Sequence, residues 1–203
     1  MLDSLGRLTR VTDDGIPVVP LKDAPGEKAA WDRPWWVLYV WPLVEFLFVT
    51  NSLQPSSRLR IAALRRFGAK IDEGVVFRPR TRVKFPWKLT VGADSWIGEG
   101  VWIHNQTDVV IGSDVVLSQE TFVTTGSHAH RRDMALIMSP VHIHDGAWVT
   151  SRCIVTGGVT IGRSALVRPA SVVTSDVGPN TVVGTPSAVE YGPRFRSADQ
   201  KRL

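Results

Sequence analysis

A branched aliphatic residue recurs at every sixth position through the second half of the chain. From Val91 it runs through Ile97 and Ile103, resumes after a short offset at Ile111, Leu117 and Val123, and after a longer break continues through Ile143, Val149, Val155, Ile161, Val167 and Val173. Glycine often follows it, at Gly92, Gly98, Gly112 and Gly162. Four positions past it the residue is small or β-branched: Ser95, Val101, Thr107, Val115, Thr121, Ala147, Cys153, Val159, Ala165 and Ser171. Helical faces repeat near every third or fourth residue and strands every second, so neither explains the pattern. A period of six fits one short flat side of a three-sided coil. Stacked coils place the aliphatic column at an inner corner, where a larger side chain collides and a polar one goes unpaired. No coil is stable alone, and the run from Ile71 to Val173 supplies the several that a solenoid needs.

Two breaks interrupt the register, between Ile103 and Ile111 and between Val123 and Ile143. Insertions in a solenoid leave the stack as loops on one face, often the binding face. Ahead of the coils, Ser56 or Ser57 can cap a helix carrying Leu59, Ile61, Leu64 and Phe67, with Arg65 and Arg66 in its last turn and Gly68 beyond. The apolar stretch from Trp35 to Val49 is interrupted by Pro42 and Glu45 and is too short to cross a bilayer. The expected organisation is an extension over 1–34 without a secretory-signal pattern, the apolar segment and helix over 35–68, the solenoid over 69–190 with a loop at 124–142, and a tail over 191–203.

A net charge of +5 and a pI near 9.8 favour anionic partners: nucleic acid, an acidic membrane or a phosphorylated ligand. The basic residues form no run with interleaved aromatics and no groove-entering motif, so nucleic acid is set aside. One cysteine, Cys153, excludes an intramolecular disulfide and a four-thiolate zinc site within one chain, and fits a cytoplasmic setting. Trp31, Trp35, Trp36 and Trp41 with Arg33 have the composition of a peripheral membrane contact. Packing on the prism or on a neighbouring subunit is the more usual fate of such rings, and is expected here.

The six-residue register, Thr125-Gly126-Ser127-His128 at the opening of the long loop, and Val172-Val173-Thr174 followed by Val183-Gly184-Thr185-Pro186 together resemble the hexapeptide-repeat acetyltransferases, which include galactoside, maltose and nodulation O-acetyltransferases. Ser57-Arg58-Leu59-Arg60 through Phe67-Gly68-Ala69, then Val83 to Leu89, look most like the group named for colanic acid biosynthesis. The resemblance spans roughly 36–189. The expected fold class is therefore mainly β, a left-handed parallel β-helix with an N-terminal helical segment.

The resemblance implies a homotrimer, acetyl-CoA in the groove between subunits, acetyl transfer to a hydroxyl of a sugar or glycan, and no metal. It makes His128 the general base, a task suited to imidazole because its ordinary pKa lies near working pH. The activated hydroxyl would attack the thioester directly, with a hydrogen-bond donor for the oxyanion. Asn105 is implied to position the acceptor; otherwise it is a left-handed turn residue. Trp148 would line the donor and acceptor tunnel, although Trp148-Val149-Thr150 stands where the family has Trp-Ile-Gly. Ser151, Pro169 and Thr174 fall where the family meets pantetheine and adenine, or are ordinary turn residues. The lysine that usually follows this threonine is Ser175 here, leaving Arg163, Arg168 and Arg194 for the phosphates, or as solvated arginines. Ala129-His130-Arg131-Arg132-Asp133 lacks the acidic residue that the resembled group has directly after its histidine.

Two other functions compete. The γ-type carbonic anhydrases share the prism and hold zinc with three histidines; His104, His128, His130, His142 and His144 offer nitrogens, without that family's spacing. A non-catalytic scaffold is the third, since a fold dictates no chemistry.

Overall fold

The computed structural model describes residues 10–11 and 14–186. The expected tail and Arg194 lie outside the described residues. The six-residue register builds a three-sided parallel β-helix. Its first side stacks Lys70–Ile71, Leu89–Val91, Val109–Ile111, Val141–Ile143 and Thr160–Ile161. The second stacks Val76–Phe77, Trp96–Ile97, Val116–Leu117, Trp148–Val149, Leu166–Val167 and Val182–Val183. The third stacks Arg82–Val83, Trp102–His104, Phe122–Thr124, Ile154–Val155 and Val172–Val173.

Each aliphatic column residue sits over its counterpart in the next coil, Ile97 over Leu117 and Leu117 over Val149 on the second side. All three columns are buried, except for the partly buried Val183 at the end of the second side, and with the small residues behind them they form one continuous core. Removing each Ile, Leu or Val side chain from water contributes about 1.5–3 kcal/mol. Coils approach so closely at the corners that a Cβ on Gly92 would lie 2.6 Å from the Gly112 carbonyl carbon. The sequence leaves no side chain there because the next coil occupies its place.

The interruptions share one corner, where the third side turns into the first. The column residues Val155 and Ile161 are six apart across this corner, whereas Ile103 and Ile111 are eight apart and Val123 and Ile143 twenty. A further offset, from Val83 to Val91, is filled by the short helix Pro86–Lys88. The longest insertion is an antiparallel hairpin, Gly126–His128 against Leu136–Met138.

Below the first coil, helix α1 (Trp35–Val44) runs into a π-helical turn, Glu45–Thr50, beyond Pro42, and helix α2 (Ser57–Arg66) follows. The Ser56 hydroxyl caps α2 by accepting from Leu59 N at 3.2 Å. Its other end closes as the sequence predicts: Gly68 takes φ +97°, Gly68 N donates to Arg65 O and Ala69 N to Leu64 O. Buried Arg60 ties the two helical segments together, donating to the carbonyls of Val49, Asn51 and Gln54. Trp41 is buried against Phe67 and donates to Val83 O at 2.8 Å. Of the two expected fates of the Trp-rich rings, packing on the prism holds for Trp41 alone: Trp31, Trp35 and Trp36 are exposed on the single chain. They belong to the outer face of α1 and the segment before it, and Trp41 alone among them falls on the inner face. No helix among the described residues is long and apolar enough to cross a membrane.

Candidate active site

The corner that collects the insertions also collects polar side chains. The residue just after the column position in three successive coils is Lys84, His104 and Thr124, and the ladder sets His104 opposite Thr124. Lys84 Nζ lies 3.3 Å from His104 Nε2, and Thr124 Oγ1 lies 3.5 Å from His104 Nδ1. Glu27, from the segment before α1, meets Lys84 at 2.5 Å and accepts from Gln106 Nε2 at 3.4 Å. Burial alone would raise the Glu27 carboxyl, but the hydrogen bond and charge of Lys84, with His104 and Gln106, hold it below its ordinary value. Burial and then the Lys84 charge lower His104, against the pull of Glu27. The imidazole is thereby kept neutral to lower pH than a free histidine.

Asn105 is fully buried one residue further along. Its Oδ1 accepts from Phe85 N at 3.0 Å and its Nδ2 donates to Phe85 O at 2.7 Å, so the amide replaces a missing ladder partner at the widened corner. It is not in the left-handed conformation. The Gln106 amide beside it is also buried, and its Oε1 has no partner.

Thr125 and Gly126 launch the hairpin. Thr125 Oγ1 accepts from Thr107 N at 3.0 Å, and Thr125 O accepts from Ser139 N at 2.9 Å, which closes the hairpin base. A Cβ on Gly126 would fall 2.0 Å from Gln106 Oε1, so the motif glycine is where the hairpin crosses the preceding corner. His128 follows, exposed on the rim of a shallow cleft of about 340 Å³ with His130, Arg131 and Arg132. Its Nδ1 lies 2.9 Å from Met134 O. A carbonyl only accepts, so Nδ1 carries the proton and the neutral ring presents a bare Nε2 lone pair.

The expected donor residues lie elsewhere on the prism. Trp148 stands half-exposed on the outer face of the second side, its Nε1 donating to Ser118 Oγ at 2.9 Å. Ser151, Arg168 and Pro169 stack at the corner between the second and third sides, where Ala170 N donates to Ser151 O and Ser151 Oγ to Gln119 Oε1. Arg163 is at the remaining corner, after Ile161. Thr174 lies on the third-to-first corner two coils past the hairpin, in a groove of about 240 Å³ with Ser175 and Thr185. A single chain therefore brings Thr174 to the same corner as His128 and Asn105, and leaves the other four donor residues and Trp148 on different faces. Among the described residues, no three of His, Cys, Asp and Glu gather as metal ligands.

Sequence reasoning missed Lys84, Glu27, Gln106 and Thr124. The first offset held the signal: counting Val83 to Val91 as a break puts Lys84, His104 and Thr124 at one place in three coils. Glu27 gave none, since only folding brings it to the corner.

No protein-family profile matches the chain. Among individual proteins, it is 35% identical over 152 residues to WcaF of Escherichia coli (strain K12), an acetyltransferase named for colanic acid biosynthesis, spanning 74% of this chain and 84% of that one. The galactoside O-acetyltransferase of the same organism is 25% identical over 149 residues, spanning 70% and 73%. Among solved structures, a maltose O-acetyltransferase from Clostridium difficile 630 superposes with a TM-score of 0.65 at 26% identity, covering 74% of this chain and 82% of that one. The hexapeptide-repeat acetyltransferase VCA0836 of Vibrio cholerae, complexed with acetyl coenzyme A, shares the fold with a TM-score of 0.67 at 24% identity, covering 74% and 82%. With its six-residue columns, its corner hairpin and this degree of identity, the chain belongs to the hexapeptide-repeat acetyltransferases.

Proposed function

We propose that the chain transfers an acetyl group from acetyl-CoA to a hydroxyl of a sugar or glycan, with His128 as general base. The observation that carries this is the 2.9 Å contact of His128 Nδ1 with Met134 O, which leaves Nε2 free at the exposed rim of the hairpin. Nε2 takes the acceptor proton as the hydroxyl oxygen attacks the thioester carbonyl carbon. The carbon–sulfur bond then breaks, and the imidazolium returns the proton to the departing thiolate. No covalent enzyme intermediate is needed. Asn105 acts on the acceptor through the corner it holds in shape.

The donor reading rests on Trp148, Ser151, Pro169 and Thr174, with Arg163 and Arg168 toward the phosphates. These lie on several faces, so a second and third copy packed side by side supply what one prism separates, which favours a homotrimer with the donor between subunits. The relatives named for galactoside and colanic acid support a sugar or glycan acceptor. Buried, unpaired Cys153 fits a cytoplasmic setting.

Calorimetric titration of the folded protein with acetyl-CoA tests this without knowledge of the acceptor. Saturable binding near one donor per subunit supports the reading. Absence of binding by folded protein refutes it.

A further inference from the structure

The outer face of the N-terminal helical segment is apolar where a surface helix is normally polar. At 3.6 residues per turn, Trp35, Trp36, Tyr39, Val40 and Leu43 fall on one arc of about 140°, and all of them face outward. The π-helical turn extends the face with Phe46, Leu47 and Phe48. Trp35 is 71% exposed, Tyr39 70% and Phe46 68%, while the inward face carries Trp41 against the first coil. A contiguous apolar surface of this kind signals a contact that the single chain leaves open.

Charge selects among the occupants. Between residues 33 and 71 the exposed basic residues are Arg33, Arg58, Arg65, Arg66 and Lys70, and the sole acid is Glu45. Glu45 is turned inward, its carboxylate accepting from Val83 N. Arg33 and Arg66 border the face directly, sharing a cleft with Trp36 and Val40. The adjacent exposed carboxylate, Asp32, accepts from Trp87 Nε1 at 2.7 Å and is paired with Lys88. Indoles and a phenol flanked by the guanidinium groups of Arg33 and Arg66 match an anionic bilayer surface: rings at the headgroup boundary, basic groups among the phosphates. We infer that the face formed by α1 and the π-helical turn is a monotopic seat on an anionic lipid surface. The prism takes the place of the polar half that a free interfacial helix carries itself. This goes beyond acetyl transfer and does not depend on it.

Cosedimentation of the full chain with vesicles of phosphatidylcholine, alone or mixed with phosphatidylglycerol, tests the inference. The natural protein should partition onto the mixed vesicles, with the bound fraction falling as salt rises. A Trp35→Ser/Trp36→Ser/Phe46→Ser variant should partition at least about tenfold less. Since these side chains are exposed, its melting temperature and elution volume should stay unchanged. Arg33→Glu/Arg66→Glu should lower binding to the mixed vesicles selectively. Failure of the natural protein to bind, or equal binding by the triple serine variant, overturns the inference. A smaller assembly formed by that variant also overturns it, by making the face an interface between copies.

Discussion

His128 Nδ1 and the Met134 carbonyl oxygen lie 2.9 Å apart across the tip of the corner hairpin. Met134 achieves this from a left-handed conformation, φ +58°, which turns its carbonyl back toward the imidazole. One backbone oxygen thus sets both the tautomer and the direction of the ring. Replacing His128 with Ala should lower turnover by about 10²–10⁴-fold while leaving acetyl-CoA affinity and the melting curve essentially unchanged. Steady-state kinetics beside calorimetry decides this; loss of folding would make His128 structural.

Asp133 holds the same turn. Its Oδ1 accepts from Ala135 N at 3.0 Å, and that bond, with Arg132 beside it, draws the carboxyl below its ordinary value. Asp133→Ala should lower kcat about tenfold, as loss of a supporting contact typically does, with the KM for donor unchanged. Asp133→Asn, which keeps the acceptor oxygen, should recover most of it.

Asn105 carries a stability prediction. Asn105→Ala would leave the buried N–H of Phe85 without a partner, while Phe85 O keeps the bond from Lys88 N; an unmet backbone group costs about 1–3 kcal/mol. Chemical denaturation should show a loss of about 1–3 kcal/mol, and Asn105→Asp, which keeps the acceptor for Phe85 N, a smaller one.

Lys84 and His104 are electrostatically coupled at 3.3 Å. Lys84→Met removes a cation beside the imidazole and frees Glu27 to attract the protonated form. The His104 pKa should therefore rise, as followed by its imidazole resonances in a pH titration. An unmoved resonance would mean that burial alone sets it.

Glu45 makes the seating of α1 depend on pH. Burial pushes its carboxyl up to about 7 from an ordinary 4.5, against the opposing pulls of the Val83 N–H and the Arg82 charge. The folded state thus holds this proton more tightly than the unfolded state does. Below about 4.5 both states are protonated and nothing is lost; between 4.5 and 7 stability falls as pH rises, and above 7 the loss is complete. The difference is on the order of 3 kcal/mol. Glu45→Gln should flatten that part of the stability profile, measured by denaturation at pH 5 and 8, roughly either side of the transition.

The columns were legible because a triangular coil imposes a hard constraint: Ile97, Leu117 and Val149 face a core with no room for anything else. The opening of the long loop at Thr125-Gly126-Ser127-His128 was legible as a resemblance, and the structure gives Thr125 and Gly126 tasks there, at the hairpin base and at its crossing of the preceding corner. The antiparallel pairing of the loop was not, since Leu136–Met138 is a plain apolar triplet with no turn signature. Which of the tryptophans turns toward the prism was not legible, because a tryptophan reads alike in sequence whichever way it faces; that depended on where α1 docks. The Glu27–Lys84 contact spans 57 positions and follows no period.

The gathering of all the insertions at a single corner separates two kinds of heritable change. Lengthening or shortening the chain there leaves the coil-to-coil register intact, because the strands on either side already tolerate spacings of six, eight and twenty residues between column positions. The other two corners lack that freedom. On the proposed role of His128, exchange of the hairpin over 126–138 would alter the acceptor site without disturbing the stack, and its replacement by a short Gly-Gly link, as at Gly157-Gly158, would leave a prism without the proposed base.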